Sequence, residues 1–69
     1  IVASSEIPAE VFELHQALLT LSTRKRTVVV LRYYLDWPDH AIAATLGCSE
    51  GTVRSIAARA LTTLRKELR

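Results

Sequence analysis

The sequence predicts an all-α fold, a compact domain of four helices with short connections. Apolar residues recur at spacings of three and four along most of the chain, which is the period of an α-helix and not the alternation of a strand. Both prolines of the 69-residue chain stand where a helix would begin, and glycine occurs only twice. A chain of this length forms one domain and buries about 60% of its unfolded surface, so its helices must pack efficiently.

The first helix is predicted to run from about Pro8 to Thr20. Proline suits the first turn of a helix because its missing N–H leaves no hydrogen bond unmade there. Residues 1–6 are expected to be a frayed tail or the end of a linker, and residues 7–69 to form the domain. Because the chain does not begin with methionine, we expect it to be part of a longer protein. The apolar stripe of this helix comprises Val11, Leu14, Leu18 and Leu21.

A second amphipathic helix is predicted from a capping residue at Ser22 or Thr23 to near Asp36. Two arginines, Arg24 and Arg32, are expected two turns apart on its polar side. The opposite side is expected to pack into the domain core. That apolar face comprises Val28, Leu31 and Leu35.

Two further helices are separated by a tight turn. The third is predicted from Pro38 to about Leu46, and Gly47 can end it because glycine adopts the left-handed conformation without strain. Ser49 then caps a fourth helix that is expected to continue to the end of the chain. The apolar positions of the fourth helix are Val53, Ala57, Ala60, Leu61, Leu64 and Leu68.

Charge is divided unevenly along the chain. Residues 1–23 contain three glutamates and no Lys or Arg, a net charge of −3. Residues 24–69 contain all nine Lys and Arg against four acids, a net charge of +5. The two parts are therefore expected to face different partners, and the basic part suits a polyanion.

Cysteine content and hydropathy exclude several kinds of protein. The single cysteine, Cys48, excludes an internal disulfide and a multi-cysteine zinc site, and it fits a reducing cytoplasm. No apolar run approaches the roughly 20 residues that span a bilayer, so no membrane partner is expected.

The chemistry-bearing side chains form no catalytic set. His15 and His40 fall in different helices without a further ligand at metal-binding spacing. The acids at turns and helix starts are accounted for by capping and by the helix dipole. We therefore expect no enzyme activity, no metal and no cofactor. The acids in question are Asp36, Asp39 and Glu50.

The segment from Ile42 to Arg54 has the pattern of a helix-turn-helix. Ala43 and Ala44 are small enough for two helices to cross closely, and Gly47 allows the sharp turn between them. The outward face of the fourth helix is basic and free of bulky side chains, which suits a helix that enters the DNA major groove. That face comprises Gly51, Arg54, Ser55, Ala58, Arg59 and Thr62.

Four short motifs follow one another along the chain. They are Leu31-Arg32-Tyr33-Tyr34, Leu46-Gly47-Cys48-Ser49, Gly51-Thr52-Val53-Arg54-Ser55 and Arg59-Ala60-Leu61. With them the chain resembles region 4 of the extracytoplasmic-function sigma factors over roughly residues 17–68, and the Tyr-Tyr form is similar to an actinobacterial subgroup. The resemblance implies that the domain binds the promoter −35 element in double-stranded DNA. It further implies docking on the β flap of RNA polymerase core, and masking by an anti-sigma protein.

The resemblance also implies roles for individual residues. Positions that face bases or nearby phosphates in the major groove are matched by Arg54, Ser55, Ala58 and Arg59, with Glu50 and Thr52 at the start of the same helix. Positions that clamp the DNA backbone are matched by Arg24 and Arg32, and His40 near a helix start is expected to touch a phosphate.

Three positions depart from the family pattern. Ser22-Thr23 stands where the family usually has Leu-Pro and a variable residue, and Ala41 replaces a common glutamate. Ile56 replaces a common basic residue, which removes one positive charge from the reading helix. Because Ile56 is apolar, we expect it on the buried flank of that helix.

The acidic first helix is expected to face protein, because DNA phosphates would repel it. Within its apolar side, Leu18 is expected to close the core. Phe12 lies off the stripe and is expected to be free for a partner. The predicted partner surface comprises Val11, Phe12 and Leu14.

Two other functions fit the pattern. One is the DNA-binding effector domain of response regulators of the LuxR group, which also uses four helices but usually carries a Thr-Val-Lys-x-His helix. The other is a helical protein-interaction module that binds no DNA. The continuous amphipathic helix after Arg54 favours the sigma factor.

Overall fold

The computed structural model describes residues 8–68, and within them it contains four α-helices and no strand. This result confirms the all-α fold. The expected tail at residues 1–6 lies outside the described residues. No helix in the described range is both long and apolar enough to cross a bilayer. The helices are α1 (Ala9–Leu19), α2 (Thr23–Val29), α3 (Asp39–Leu46) and α4 (Glu50–Glu67), and a π-helical turn, Val30–Tyr34, directly continues α2.

The helix ends form where the sequence predicts them. The Ser22 hydroxyl accepts a hydrogen bond from the Lys25 backbone N–H at 3.2 Å, and the Ser49 hydroxyl accepts one from the Thr52 N–H at 3.1 Å. Each satisfies an N–H that has no partner within its own helix. Gly47 ends α3 with φ 69° and ψ 40°, the left-handed conformation expected of it.

The second helix has the predicted length but not the predicted geometry. After Val29 the chain widens into the π turn, in which the Leu35 N–H donates to the Val30 carbonyl at 3.0 Å. A π turn holds more residues per turn than an α-helix, so the side chains after it are rotated. Leu35 is therefore 51% exposed, and its assignment to the apolar face is wrong. Two residues after the π turn, Asp36 has a φ of 57°, a conformation that aspartate tolerates better than most residues.

Two groups of buried side chains hold the helices together, and α4 contributes to both. On α2 the neighbours Val28 and Val29 pack into different groups. The helix-turn-helix core joins α2, α3 and α4 and comprises Val28, Ile42, Ala43, Val53, Ile56 and Ala57. The amino-terminal core joins the α1 region, α2 and α4 and comprises Ala17, Leu21, Val29, Ala60 and Leu64.

One arginine fastens α1 to α2. Arg26 donates from Nε to the Leu18 carbonyl at 3.0 Å and from Nη2 to the Leu21 carbonyl at 2.9 Å. These carbonyls lie at and just beyond the carboxyl end of α1, where the helix dipole favours a positive charge. No sequence pattern indicates this role, because Arg26 is one of three adjacent basic residues.

Candidate nucleic-acid interface

The amino-terminal part of α4 presents one continuous exposed face. Its buried residues recur at helical spacing, so the side chains between them point outward. Ile56 is 6% exposed, which confirms its expected place on the buried flank. We call the exposed set the reading face. It comprises Glu50, Thr52, Arg54, Ser55, Ala58 and Arg59.

The reading face is carried on a rigid support. Val28, Ile42 and Val53 are fully buried and bring α2, α3 and α4 into contact. The amino end of α4 is further held by Ser49, which caps the helix and lies 2.9 Å from the Thr52 hydroxyl. The orientation of α4 relative to α3 is therefore fixed by branched side chains that pack against each other at full burial.

Arg54 lies near two carboxylates at the amino end of α4. Its Nη1 is 3.5 Å from Oδ2 of Asp39 and 3.9 Å from Oε1 of Glu50, one turn earlier on the same helix. The Arg54 side chain is nevertheless 57% exposed, whereas that of Asp39 is 18% exposed. The guanidinium is thus oriented by acids yet open to a ligand.

Arg32 is held against the protein surface by hydrogen bonds, and its side chain is 29% exposed. It donates from Nε to Oδ1 of Asp39 at 2.8 Å, from Nη2 to Oδ2 of Asp39 at 3.4 Å, and from Nη1 to the Tyr33 hydroxyl at 2.9 Å. Its guanidinium carbon also lies 5.4 Å from the centre of the Tyr33 ring. The hydrogen bond to Asp39 is the main cause that raises the pKa of Arg32 above its ordinary value.

The remaining predicted DNA contacts are exposed but dispersed. Arg24 lies in the first turn of α2, and His40 in the first turn of α3. Arg59 lies further along the reading face, and within residues 8–68 neither it nor Arg24 forms an ion pair. The structure therefore brings Arg32 and Arg54 together, while the other basic side chains stand apart.

Asp39 is the member of this site that sequence reasoning missed. Its position at a helix start suggests a dipole effect only, but its carboxylate bridges Arg32 and Arg54. These two arginines are 7 residues before it and 15 residues after it, so no local spacing could reveal the pairing. One sequence feature could have indicated Asp39: it is an acid within the basic part of the chain, and it stands next to the predicted helix-turn-helix.

A second surface lies away from the reading face. An apolar groove of about 500 Å³ runs between α1, the π turn and the second half of α4. Leu14 lies in this groove, while Phe12 lines a smaller cavity of about 330 Å³ with Glu67 and Leu68. Val11, Phe12 and Leu14 are 53%, 57% and 44% exposed. The groove is lined by Leu14, Leu18, Val29, Val30, Tyr33, Tyr34, Leu61 and Leu64.

Comparison with known families matches residues 17–66 to the family described as sigma-70, region 4. This chain belongs to the sigma-70 region 4 family. The match covers α2, α3 and nearly all of α4, and so includes the reading face and its support. It confirms the resemblance drawn from the sequence motifs.

Curated relatives agree with this assignment. The chain is 43% identical over 65 residues to a protein named RNA polymerase sigma-E factor from Streptomyces antibioticus, a match that covers 94% of this chain and 36% of the relative. It is 46% identical over 55 residues to a protein of the same name from Streptomyces coelicolor, with 80% of this chain and 31% of the relative covered. The chain therefore spans about a third of the length of these relatives.

Proposed function

We propose that this chain is the C-terminal domain of a sigma factor and binds the promoter −35 element by placing the reading face of α4 in the major groove. The observation that supports this most strongly is the reading face itself. It is exposed and basic, and it is mounted on a fully buried helix-turn-helix core. A major groove about 12 Å wide admits such a helix. The chain acts by binding rather than by catalysis.

The basic side chains fall into two groups, one that contacts bases and one that contacts phosphates. Arg54 and Arg59 on the reading face contact guanine, whose O6 and N7 accept two parallel N–H groups from arginine. Ala58 between them is small enough for a close approach to the bases. Arg24 and His40, at the starts of α2 and α3, contact phosphates and set the position of the domain on the duplex. Glu50, Thr52, Ser55 and Arg32 complete the proposed contact set.

The apolar groove is the proposed site for protein partners. The groove is lined almost entirely by apolar side chains, several of them exposed, and such a patch suits a protein interaction site. The groove uses α1 and the second half of α4, whereas the reading face uses the first half, so DNA and protein can bind at once. We assign it to the β flap of RNA polymerase, with an anti-sigma protein as a competitor, in the cytoplasm. Val11 and Phe12 lie at the edge of this surface.

The proposal is tested by selecting binding sites for the 69-residue chain from a pool of random duplexes. Affinity is then measured on the selected site and on random DNA at two salt concentrations. We expect Arg54→Ala or Arg59→Ala to lose about 1–3 kcal/mol on the selected site and much less on random DNA. Arg65→Ala is the matched control, because it removes the same charge from an exposed position near the other end of α4.

Two results would contradict the proposal. Binding that shows no steep dependence on salt would indicate a protein-interaction module, since phosphate contacts release counterions. Equal losses for Arg54→Ala and Arg65→Ala on the selected site would remove Arg54 from the base contacts.

A further inference from the structure

The Asp39 carboxylate has two unequal partners. Arg32 holds it by two hydrogen bonds and is itself fixed by a third bond to Tyr33. Arg54 approaches it at one point only, through Nη1 at 3.5 Å. Arg32 and Asp39 are therefore the fixed part of the arrangement, and Arg54 is the part that can still reach outward.

This arrangement restricts a side chain that otherwise has many conformations. A free arginine loses its rotamer freedom when it binds a base, and a side chain already held in place loses less. Nη1 of Arg54 is the atom that faces Asp39 and Glu50. The Nε–H and Nη2–H groups of the same guanidinium point in parallel directions. A bidentate contact with guanine needs one such pair of N–H groups.

The same carboxylate disfavours contact with any phosphate nearby. A negative charge beside Arg54 repels the DNA backbone, and it partly neutralises the arginine for nonspecific attraction. A guanine edge carries no net charge, so it suffers less from this repulsion. Asp39 should thus lower the affinity for DNA in general and raise the preference for the correct base.

We propose that Asp39, held by Arg32, is a positioning residue that orients Arg54 for reading a base and suppresses its binding to phosphates. The inference rests on the proposed function, because it presumes that α4 enters the major groove. It adds a specificity-determining residue that itself makes no contact with DNA.

The test uses Asp39→Asn in the 69-residue chain. Asparagine has the same shape and keeps an oxygen for Arg32, but it carries no charge. We expect the preference for the selected site over random DNA to fall roughly tenfold. Affinity for random DNA should rise, and the salt dependence should steepen by about one unit. A variant that merely unfolds would lose affinity for both.

Asp36→Asn is the matched control. It makes the same chemical change three residues away, and asparagine tolerates the left-handed conformation found there. Its preference for the selected site should equal that of the parent chain. An equal fall in preference for both variants would attribute the effect to overall charge and overturn the inference.

A double-mutant cycle tests whether Asp39 acts through Arg54. In an Arg54→Ala background, Asp39→Asn should leave the preference unchanged, since no guanidinium remains to be oriented. The same tenfold fall in that background, or no fall in the parent, would overturn the inference. A parent chain that prefers no sequence would instead overturn the proposed function.

Discussion

The two cores of this domain differ in how completely their larger side chains are buried. The helix-turn-helix core is centred on Val28, Ile42 and Val53, which are fully buried. In the amino-terminal core the larger side chains stay slightly exposed, at 4% for Leu21, 9% for Val29 and 7% for Leu64. The helix α1 itself contributes only Ala17 to this core. Larger residues of α1 such as Leu14 stay exposed.

This difference separates two tasks within one small protein. Branched side chains at full burial fix the angle between α3 and α4, and a base-reading helix needs that rigidity. The helix α1 contributes one small residue to a core, so most of its large apolar residues remain on the surface. The first arrangement favours precise contact with DNA, and the second leaves an apolar groove for a protein.

The strongest test of this comparison is Ile42→Ala. Removing most of a fully buried side chain from the helix-turn-helix core leaves a cavity, so the free energy of unfolding should fall by about 2–5 kcal/mol. Urea unfolding of the 69-residue chain measures this. Leu18→Ala is the comparison variant. Its spacing suggests a core residue, but the structure leaves it only partly buried against the amino-terminal core. The loss of unfolding free energy for Leu18→Ala should be less than half of that for Ile42→Ala. Equal losses would mean that both cores are equally closed.

Leu14→Ala and Phe12→Ala test the surface side of the comparison. Both residues are exposed, so either change should alter the free energy of unfolding by less than about 1 kcal/mol. Leu14→Ala should weaken binding of a β-flap fragment by roughly 1–2 kcal/mol, because Leu14 lines the groove. Phe12→Ala should weaken it less, since Phe12 lines a separate cavity. Titration of the fragment against each variant decides the order, and wild-type binding by both variants would remove α1 from the partner site.

The smallest expected effect separates the two arginines that the family resemblance places at phosphates. Arg24 is exposed, so Arg24→Ala should lower the salt dependence of DNA binding by about one unit on every sequence. Arg32 is neutralised by Asp39, so Arg32→Ala should lower it by less. Affinities measured from low to high salt give both slopes. If Arg32→Ala also lowers the salt dependence by a full unit, the ion pair between Arg32 and Asp39 opens when the domain binds DNA.

Local features of the fold could be predicted from the sequence because local contacts decide them. Ser22, Gly47 and Ser49 each act on backbone groups within a few residues, and each behaves as expected. The exposed side of α4 follows from helical spacing alone. The choice between Ala17 and Leu18 as the buried residue of α1 does not, because it depends on how closely α4 approaches.

Features that depend on contacts between helices could not be predicted. The bridge from Arg32 through Asp39 to Arg54 exists only because the π turn, α3 and α4 converge at one point. The π turn likewise has no marker in its own residues, and its wider hydrogen bonds form as part of the packed structure. Individual contacts with DNA remain predictions, since spacing shows which side chains are exposed and not what they touch.

The π turn makes the domain sensitive to chain length at one place. Val30, Tyr33 and Tyr34 line the groove, while Arg32 from the same five residues holds Asp39. Removing one residue here would leave an ordinary α-helical turn, in which the side chains of this segment could not all keep their present directions. Tyr33 already serves both surfaces, because it lines the groove and accepts a hydrogen bond from Arg32. A substitution there, like a single-residue insertion or deletion in the segment, would therefore alter both.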